Sequence, residues 1–207
     1  MKLVDIGNSR AHLFLDGEAL NLSYIELFDK FKNDKLYYIN VNPKLTQKLQ
    51  SQKKWINIEP FVSIDGEYKG MGVDRKVLLH SYGDGIYIDA GSAITIDKKI
   101  DNIFIGGTIL LGLYSVKKAY LDISSILRVD DIEHIDITKL PKSNTKESIL
   151  YGIIAPIISL VKSINNEDLP IYCTGGDGKI LAQYLNAKYD KGMIFKGMQK
   201  VIKEIKC

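Results

Sequence analysis

A short apolar strand that runs directly into Asp-x-Gly occurs twice in this 207-residue chain, and it restricts the fold more than any other feature. The first copy is "LVDIGNSR", residues 3–10, and the second is "IYIDAGSAITID", residues 86–97. A glycine after a strand lets the backbone approach a ligand closely, and the aspartate supplies an oxygen for a cation. One such turn is ordinary. The pair predicts two turns that face each other across a cleft and hold a polyphosphate with its metal ion.

The predicted elements repeat around the turn cluster "YGDG", residues 82–85. Period-two and β-branched patterns predict strands, and runs of helix formers with caps predict helices. Before the cluster, strands are expected at 1–6, 11–17, 20–25, 35–41 and 55–61, with helices at 43–52 and 74–81. After it, strands are expected at 86–91, 92–99, 102–110 and 170–174, with helices at 112–124, 142–164 and 176–185. The tail from residue 193 is expected to form a short strand or turn followed by an amphipathic helix. Two lobes follow, residues 1–82 and 83–207, each beginning with a strand that leads into Asp-x-Gly.

A late glycine turn adds a third feature. "CTGGDGKIL", residues 173–181, predicts a strand, the pair Gly175 and Gly176, and then a helix. Taken alone it is also compatible with a plain strand-to-helix turn. Together with the two Asp-x-Gly turns, it resembles the superfamily of acetate and sugar kinases, heat-shock chaperones and actin. The resemblance implies an α/β chain with a two-lobed, duplicated ribonuclease H-like (actin-like ATPase) fold, built from mixed sheets with flanking helices.

Other nucleotide-binding motifs are absent from the sequence. It contains no G-x-x-x-x-G-K-[ST] and no G-x-G-x-x-G after a strand. "GMGVDR" does not replace the latter, because Asp74 stands where the third glycine would be.

Composition indicates an ordinary globular protein. The net charge is +3, and the lysines are scattered in short clusters such as "QKK" at residues 52–54, so no nucleic-acid footprint is expected. The two cysteines, Cys173 and Cys207, have no metal-binding spacing. No signal peptide is expected, because Asp5 interrupts the first apolar run. The longest apolar segment, residues 149–161, is predicted to be too short for a membrane span. We therefore expect a soluble, cytoplasmic protein that contacts neither membranes nor nucleic acid.

Four motifs in order narrow the resemblance to one family. "DIGNSR", "GVDR", "DAGSAIT" and "GGTILLG" are similar to the patterns D-x-G-N-[ST]-R, G-x-D-R, D-x-G-[ST]-A-x-T and G-G-x-I-x-P-G of type III pantothenate kinase. The resemblance covers nearly the whole chain. Leu111 departs from it, because the family pattern has proline there, and the segment between Tyr68 and Gly72 is compressed.

For ATP and cations, the resemblance implies the following. The family phosphorylates pantothenate with ATP, the first step of coenzyme A synthesis. The first phosphate loop would comprise Asp5, Ile6, Gly7, Asn8, Ser9, Arg10, Ala11 and His12. Asp5 would help to place Mg²⁺ indirectly. Asp89 would bind a monovalent cation, K⁺ or NH₄⁺, and Ser92 would contact ATP together with Gly175 and Gly176.

For pantothenate, the resemblance implies contacts from Tyr68, Gly72, Val73, Asp74, Arg75 and Thr145. Asp74 would be the general base for the primary hydroxyl, which suits the need for a carboxylate near the acceptor in phosphoryl transfer. Arg75 would hold a substrate carboxylate. The resemblance also implies that the protein forms a homodimer. His12 receives no phosphate contact of its own, because many members carry lysine or threonine there.

Alternatives remain open at this point. Asp74 and Arg75 are also compatible with a helix N-cap followed by a surface charge. The same fold is compatible with a non-catalytic nucleotide-binding accessory factor for transcription, or with a kinase or phosphatase for another small molecule. The apolar helix over residues 147–164 is a candidate dimer interface and equally a candidate core helix.

Overall fold

The computed structural model describes residues 1–132 and 134–206, without the side chain of Lys206, so Cys207 lies outside the described residues. The chain forms two compact units. The first comprises Met1–Gly83, Lys99–Ile105 and Lys191–Cys207, and the second comprises Asp84–Lys98 and Gly106–Asp190. The predicted lobe limits at residues 82 and 83 stay a prediction, because compact units and duplicated lobes need not share their boundaries.

The sheet of the first unit has five strands. They are β1 (Leu3–Ile6), β2 (Ala11–Leu15), β3 (Glu18–Leu22), β4 (Leu36–Asn40) and β5 (Trp55–Asn57). Their order is β3-β2-β1-β4-β5. Strands β1, β2 and β3 form an antiparallel meander, whereas β4 lies parallel to β1 and β5 parallel to β4. Strand β1 is therefore central and ends at the predicted phosphate loop.

The predicted strand over residues 20–25 is wrong in its second half. β3 ends at Leu22, and helix α1 (Tyr24–Phe31) begins directly after Ser23. Ser23 and Glu26 form a capping box, in which each side chain accepts from the other residue's backbone N–H. This S-x-x-E pattern was present in the sequence, but the apolar residues around it resembled a strand.

Two further segments are shorter than expected. The strand predicted over residues 55–61 stops at Asn57, whose side chain accepts from the Glu59 N–H and starts a turn. A 3-10 turn follows at Glu59–Phe61, since Pro60 lacks a donor for the sheet. The helix expected over residues 43–52 is a 3-10 turn at Pro43–Leu45 followed by α2 (Thr46–Gln50).

Two helices of the first unit pack against each other at close range. α3 (Val73–Ser81) buries Val73, Val77, Leu78 and Leu79, and α7 (Met193–Lys206) buries Met193, Phe195, Met198, Val201 and Ile202. A Cβ placed on Gly197 of α7 would overlap the carbonyl oxygen of Val77. Glycine at this position therefore allows the two backbones to approach each other.

The second unit contains most of a sheet with the same topology. Its strands are β6 (Gly85–Ala90), β7 (Ala93–Ile100), β8 (Ile103–Leu111), β9 (Ile171–Thr174) and β10 (Lys188–Tyr189). Their order, β10-β9-β6-β7-β8, repeats the order β5-β4-β1-β2-β3 of the first sheet. Each sheet thus places the strand with Asp-x-Gly at its centre, which adds a spatial match to the predicted repeat of elements. The tip of the β7–β8 hairpin, Lys99–Ile105, belongs to the first unit.

Helices α4 (Leu113–Ile123), α5 (Thr145–Ile164) and α6 (Gly178–Leu185) belong to the second unit. With 20 residues, α5 is long and apolar enough to cross a membrane, so the expectation that this segment is too short is wrong. Its apolar side nevertheless lies in the core of the unit, where Ile149, Leu150, Ile153, Ile154, Ile157, Ile158 and Val161 are buried. The sequence left α5 as either a dimer interface or a core helix, and this packing favours the core helix.

We expect Gly197→Ala to destabilise the protein by about 1–3 kcal/mol, because the new methyl group would force α7 away from α3. Alanine would otherwise favour a helix over glycine by up to about 1 kcal/mol. Gly152→Ala, also inside a helix, is the matched control, since its Cβ would meet only the Tyr120 hydroxyl at 3.7 Å. Urea unfolding measures both variants. A Gly197→Ala protein as stable as Gly152→Ala would contradict the packing described.

Candidate functional site

The first Asp-x-Gly turn is a tight loop between β1 and β2. The Gly7 N–H donates to the Arg10 carbonyl at 3.0 Å, which closes the turn. The Tyr24 hydroxyl donates to the Gly7 carbonyl at 2.7 Å and accepts from the Asn42 side chain at 3.2 Å. The turn is thereby tied to α1 and to the end of β4, while Asn8, Ser9 and Arg10 are exposed.

Three other members of the predicted phosphate loop offer less to a ligand. Ile6 and Ala11 are fully buried, so only their main-chain groups remain for a ligand. The Nδ1 atom of His12 pairs with the Asn21 side chain of β3 at 2.7 Å. This contact gives His12 a structural role in the β1–β3 meander.

Two carboxyl groups of the first unit, those of Asp5 and Asp74, have raised pKa values. Burial, and after it the negative charge of Asp74, raise the pKa of Asp5 to about 7. Burial also raises the pKa of Asp74, against the lowering effect of hydrogen bonds from the Arg75 backbone and of the Arg75 charge. Oδ1 of Asp5 is buried and has no hydrogen-bond partner among the described residues. Such an orphaned oxygen is costly unless a ligand or an ion completes it.

Asp74 lies in the first turn of α3, which begins one residue before the predicted start. Gly72 occupies the cap position, so the alternative that Asp74 is the N-cap is wrong. Oδ1 of Asp74 accepts from the Arg75 N–H at 2.8 Å, which orients the carboxylate. A Cβ on Gly72 would lie 2.5 Å from that oxygen, so a larger residue at 72 would displace it.

Arg75 is not a surface charge, since only 4% of it is exposed. Its Nη1 donates to the Tyr68 hydroxyl at 2.6 Å. Its guanidinium carbon lies 5.8 Å from the centre of the Tyr68 ring and 5.9 Å from that of Phe104. The shortened segment before Gly72 therefore still brings Tyr68 to Arg75. Sequence reasoning missed Phe104, which the pattern presented only as part of a strand.

The second unit brings Asp89 and Gly175 together. Gly175 has φ +86°, and a Cβ there would lie 2.5 Å from Oδ1 of Asp89 and from the Ala90 carbonyl. The Asp177 N–H donates to the Ala90 carbonyl at 3.0 Å. The late glycine turn is thus fastened to the second Asp-x-Gly turn. Nothing within 4 Å would meet a Cβ on Gly176, so the backbone there is open.

The other predicted site residues of the second unit are Ser92 and Thr145. Gly112 packs so closely on Gly91 and Ser92 that any Cβ would overlap their carbonyl oxygens, which fixes the turn that carries Ser92. Thr145 is exposed at the first position of α5, after the cap residue Asn144. Burial raises the pKa of Asp177, partly offset by the charge of Lys117.

The carboxylates of the site suit a magnesium ion that is bound by protein and substrate phosphates together, rather than one bound by protein ligands alone. Within residues 1–132 and 134–206, no group of three His, Cys, Asp or Glu side chains forms a metal cluster. Mg²⁺ characteristically takes one or two carboxylates and completes its shell with substrate phosphates and water. The buried, unpaired Oδ1 of Asp5 fits that role.

Comparison with known proteins identifies the family. A family model for type III pantothenate kinase matches residues 18–167. A relative of that name from Campylobacter jejuni (strain RM1221) is 43% identical over 206 residues, covering 99% of this chain and 97% of its own. One from Helicobacter hepaticus is 36% identical, covering 99% of both chains. The chain is therefore a member of the type III pantothenate kinase family, and the resemblance drawn from the four motifs is confirmed.

Solved structures confirm the fold class. A Campylobacter jejuni structure named as a Baf family transcriptional activator superposes with a TM-score of 0.89 at 40% identity, covering 100% of this chain and 99% of its own. A Sinorhizobium meliloti structure named as a 2-dehydro-3-deoxygalactonokinase has a TM-score of 0.57 at 10% identity, covering 99% and 96%. The second likeness shows the sugar-kinase fold alone.

The elevated pKa of Asp5 leads to a stability prediction. The folded protein disfavours ionised Asp5, so stability falls as pH rises from about 4 to about 7 and the loss is complete above pH 7. We expect Asp5→Asn to stabilise the ligand-free protein at pH 8 by about 2–4 kcal/mol and to have little effect at pH 4. Urea unfolding between pH 4 and 8 tests this. Asp29→Asn, at an exposed position on α1, is the control, and equal pH profiles for both variants would contradict the assignment.

Proposed function

We propose that this chain transfers the γ-phosphate of ATP to the primary hydroxyl of pantothenate, giving 4'-phosphopantothenate, the first step of coenzyme A synthesis. Membership of the family supports the reaction. The observation that carries it is Asp74, a carboxylate oriented by a backbone N–H and adjacent to a buried arginine. Neighbouring residues of one helix thus supply a candidate base and a cationic group for the acceptor.

In this proposal Asp74 accepts the proton of the pantothenate hydroxyl as the oxygen attacks phosphorus. Its pKa is raised by burial, which makes the carboxylate a stronger base than an exposed aspartate. Gly72 and Val73 complete the substrate contacts around it, and Thr145 adds a hydroxyl for pantothenate. Tyr68 and Arg75 bind the carboxylate end of the substrate.

Phosphoryl transfer depends mainly on positioning and on neutralising charge. For ATP, the loop from Asp5 to His12 supplies main-chain N–H groups and the side chains of Asn8, Ser9 and Arg10. Ser92, Gly175 and Gly176 supply the contacts from the second unit. Mg²⁺ held near Asp5 would neutralise the phosphate oxygens when bound.

A transcriptional role is the second candidate, because one solved relative carries the name of a transcriptional activator. The family model and the named relatives favour the kinase. The presence of the three carboxylates Asp5, Asp74 and Asp89 also favours the kinase, since a pure regulator has no need of a base at residue 74. The scattered lysines give no reason to propose a nucleic-acid partner, and we place the enzyme in the cytoplasm, in contact with no membrane.

We further propose that the enzyme is a homodimer. Between residues 109 and 126, consecutive elements of the second unit expose large apolar side chains, with exposed fractions from 58% to 82%: Ile109, Leu111, Tyr114, Ile123 and Ile126. Exposed apolar surface of this kind is typical of interfaces. Sedimentation equilibrium should give twice the chain mass of 23.3 kDa, and Ile123→Glu with Ile126→Glu should halve it. A wild-type monomer at micromolar concentration would contradict the proposal.

We expect Asp74→Asn to lower kcat by about two to four orders of magnitude, because the amide cannot accept the proton. Binding of ATP should remain nearly intact, since Asp74 is not assigned to the phosphates. A coupled ADP-release assay measures the first, and calorimetry with a non-hydrolysable ATP analogue measures the second. Asp122→Asn, in a surface ion pair on α4, is the control. Near-normal turnover would remove Asp74 from the mechanism.

Turnover is expected to require K⁺ or NH₄⁺ as well as Mg²⁺. Asp89 ends strand β6 beside the phosphate-binding turn of the second unit, and phosphate-rich sites favour additional cations. The measurement compares dialysed enzyme in Tris buffer with enzyme supplied with potassium, ammonium or sodium. Asp89→Asn should lose most of the potassium response. Equal rates in Tris and in potassium would show that the cation assignment is wrong.

A further inference from the structure

The tip of the β7–β8 hairpin, Lys99–Ile105, is fixed to the first unit at both of its ends. At one end, Lys99 is almost fully buried, and its Nζ donates to the carbonyls of Leu79 and Tyr82 at the end of α3. A lysine there satisfies free carbonyl groups of the helix. At the other end, the Phe104 N–H donates to the Asp65 carbonyl at 2.8 Å.

The loop that carries Tyr68 packs closely against the backbone of this hairpin tip. Asp65 forms a parallel bridge with Ile103. Gly66, at φ +81°, leaves no space for a Cβ, which would lie 2.5 Å from the Phe104 carbonyl. The loop before α3 and the hairpin tip are thus held together by backbone contacts, and they place the rings of Tyr68 and Phe104 with centroids 6.2 Å apart.

Arg75 contacts both rings. Both centroids lie within 6 Å of the guanidinium carbon, the range in which an aromatic face attracts a cation. Phe104 is only 7% exposed, whereas Tyr68 is 49% exposed. Phe104 thus holds the arginine from inside the protein, and Tyr68 is the member of the trio that reaches solvent.

The hydrogen bond between Arg75 and Tyr68 sets the direction of the Tyr68 hydroxyl. A guanidinium can only donate, so the Tyr68 oxygen accepts from Nη1 at 2.6 Å. The hydroxyl hydrogen of Tyr68 must then point to another acceptor. On the half-exposed side of the ring, a substrate carboxylate would be such an acceptor, with the arginine charge directly behind the hydroxyl.

We propose that Phe104 is a positioning residue for substrate recognition: its ring fixes Arg75, and Arg75 orients the Tyr68 hydroxyl toward the carboxylate of the acceptor substrate. The inference rests on the proposed function for the identity of that substrate. It assigns to the hairpin tip a role in binding the acceptor and none in the chemical step or in ATP binding.

The test compares Phe104→Leu with the wild type in steady-state kinetics. Loss of one cation–π contact should raise KM for pantothenate by about tenfold. The value of kcat and KM for ATP should stay within about twofold. Phe104→Tyr, which keeps a ring, should restore KM. Phe14→Leu is the matched control, because it removes one ring of the Phe14–Phe195 stack of the same unit, where no arginine is described.

A second substrate separates carboxylate recognition from general loosening. In pantothenyl alcohol a hydroxymethyl group replaces the carboxylate, so its KM should differ by less than about twofold between the wild type and Phe104→Leu. Thermal unfolding checks that each variant is folded, and Phe104→Met, closer in volume, replaces Phe104→Leu if that variant is not.

The outcomes separate the two proposals. A wild type that phosphorylates no pantothenate would defeat the proposed function. An active wild type with an unchanged pantothenate KM in Phe104→Leu would overturn only the role of Phe104. The same holds if KM rises equally for pantothenate and its alcohol, or if Phe104→Tyr fails to restore it.

Discussion

The proximity of two half-buried carboxyl groups, Asp5 and Asp74, is the constraint around which the first unit is organised. The negative charge of Asp74 adds to burial in raising the pKa of Asp5, and Oδ1 of Asp5 lacks a partner among the described residues. A buried oxygen without a hydrogen-bond partner lowers the free energy of unfolding, so this arrangement indicates a site that a ligand completes. In the proposed enzyme, a cation with its phosphates and a substrate hydroxyl relieve it, so the strain of the ligand-free site is part of its affinity.

Helix α3 must be held firmly if Asp74 is to stay beside Asp5. Three independent contacts do this. α7 packs against its middle at Gly197, Lys99 binds its terminal carbonyls, and Phe104 contacts Arg75 in its first turn. Two of the three come from the hairpin tip, which is distant in sequence. In the proposed role of Phe104, substrate recognition and the position of the helix depend on the same segment.

The second unit uses glycine for the same purpose. Gly112 and Gly175 lie where a Cβ would overlap the backbone of the Asp89–Ser92 turn or approach it within 2.5 Å. Their absence of side chains lets three chain segments meet at one place. The Leu111 departure from the family pattern lies beside Gly112, and it leaves that close contact unchanged because the contact depends on the glycine and not on its neighbour.

The sequence by itself determined the fold class, the repeated order of elements along the chain and the family, because strand periodicity and the spacing of Asp-x-Gly and GVDR are local properties. It also identified Asp74, Arg75 and Tyr68 as a group. Local patterns misled where two signals competed, as at Ser23, where a capping box followed a strand. Only the tertiary structure decided that Arg75 is buried, that Phe104 contacts it and that α5 is core. Those facts depend on which segments distant in sequence pack together, and local sequence patterns do not specify that packing.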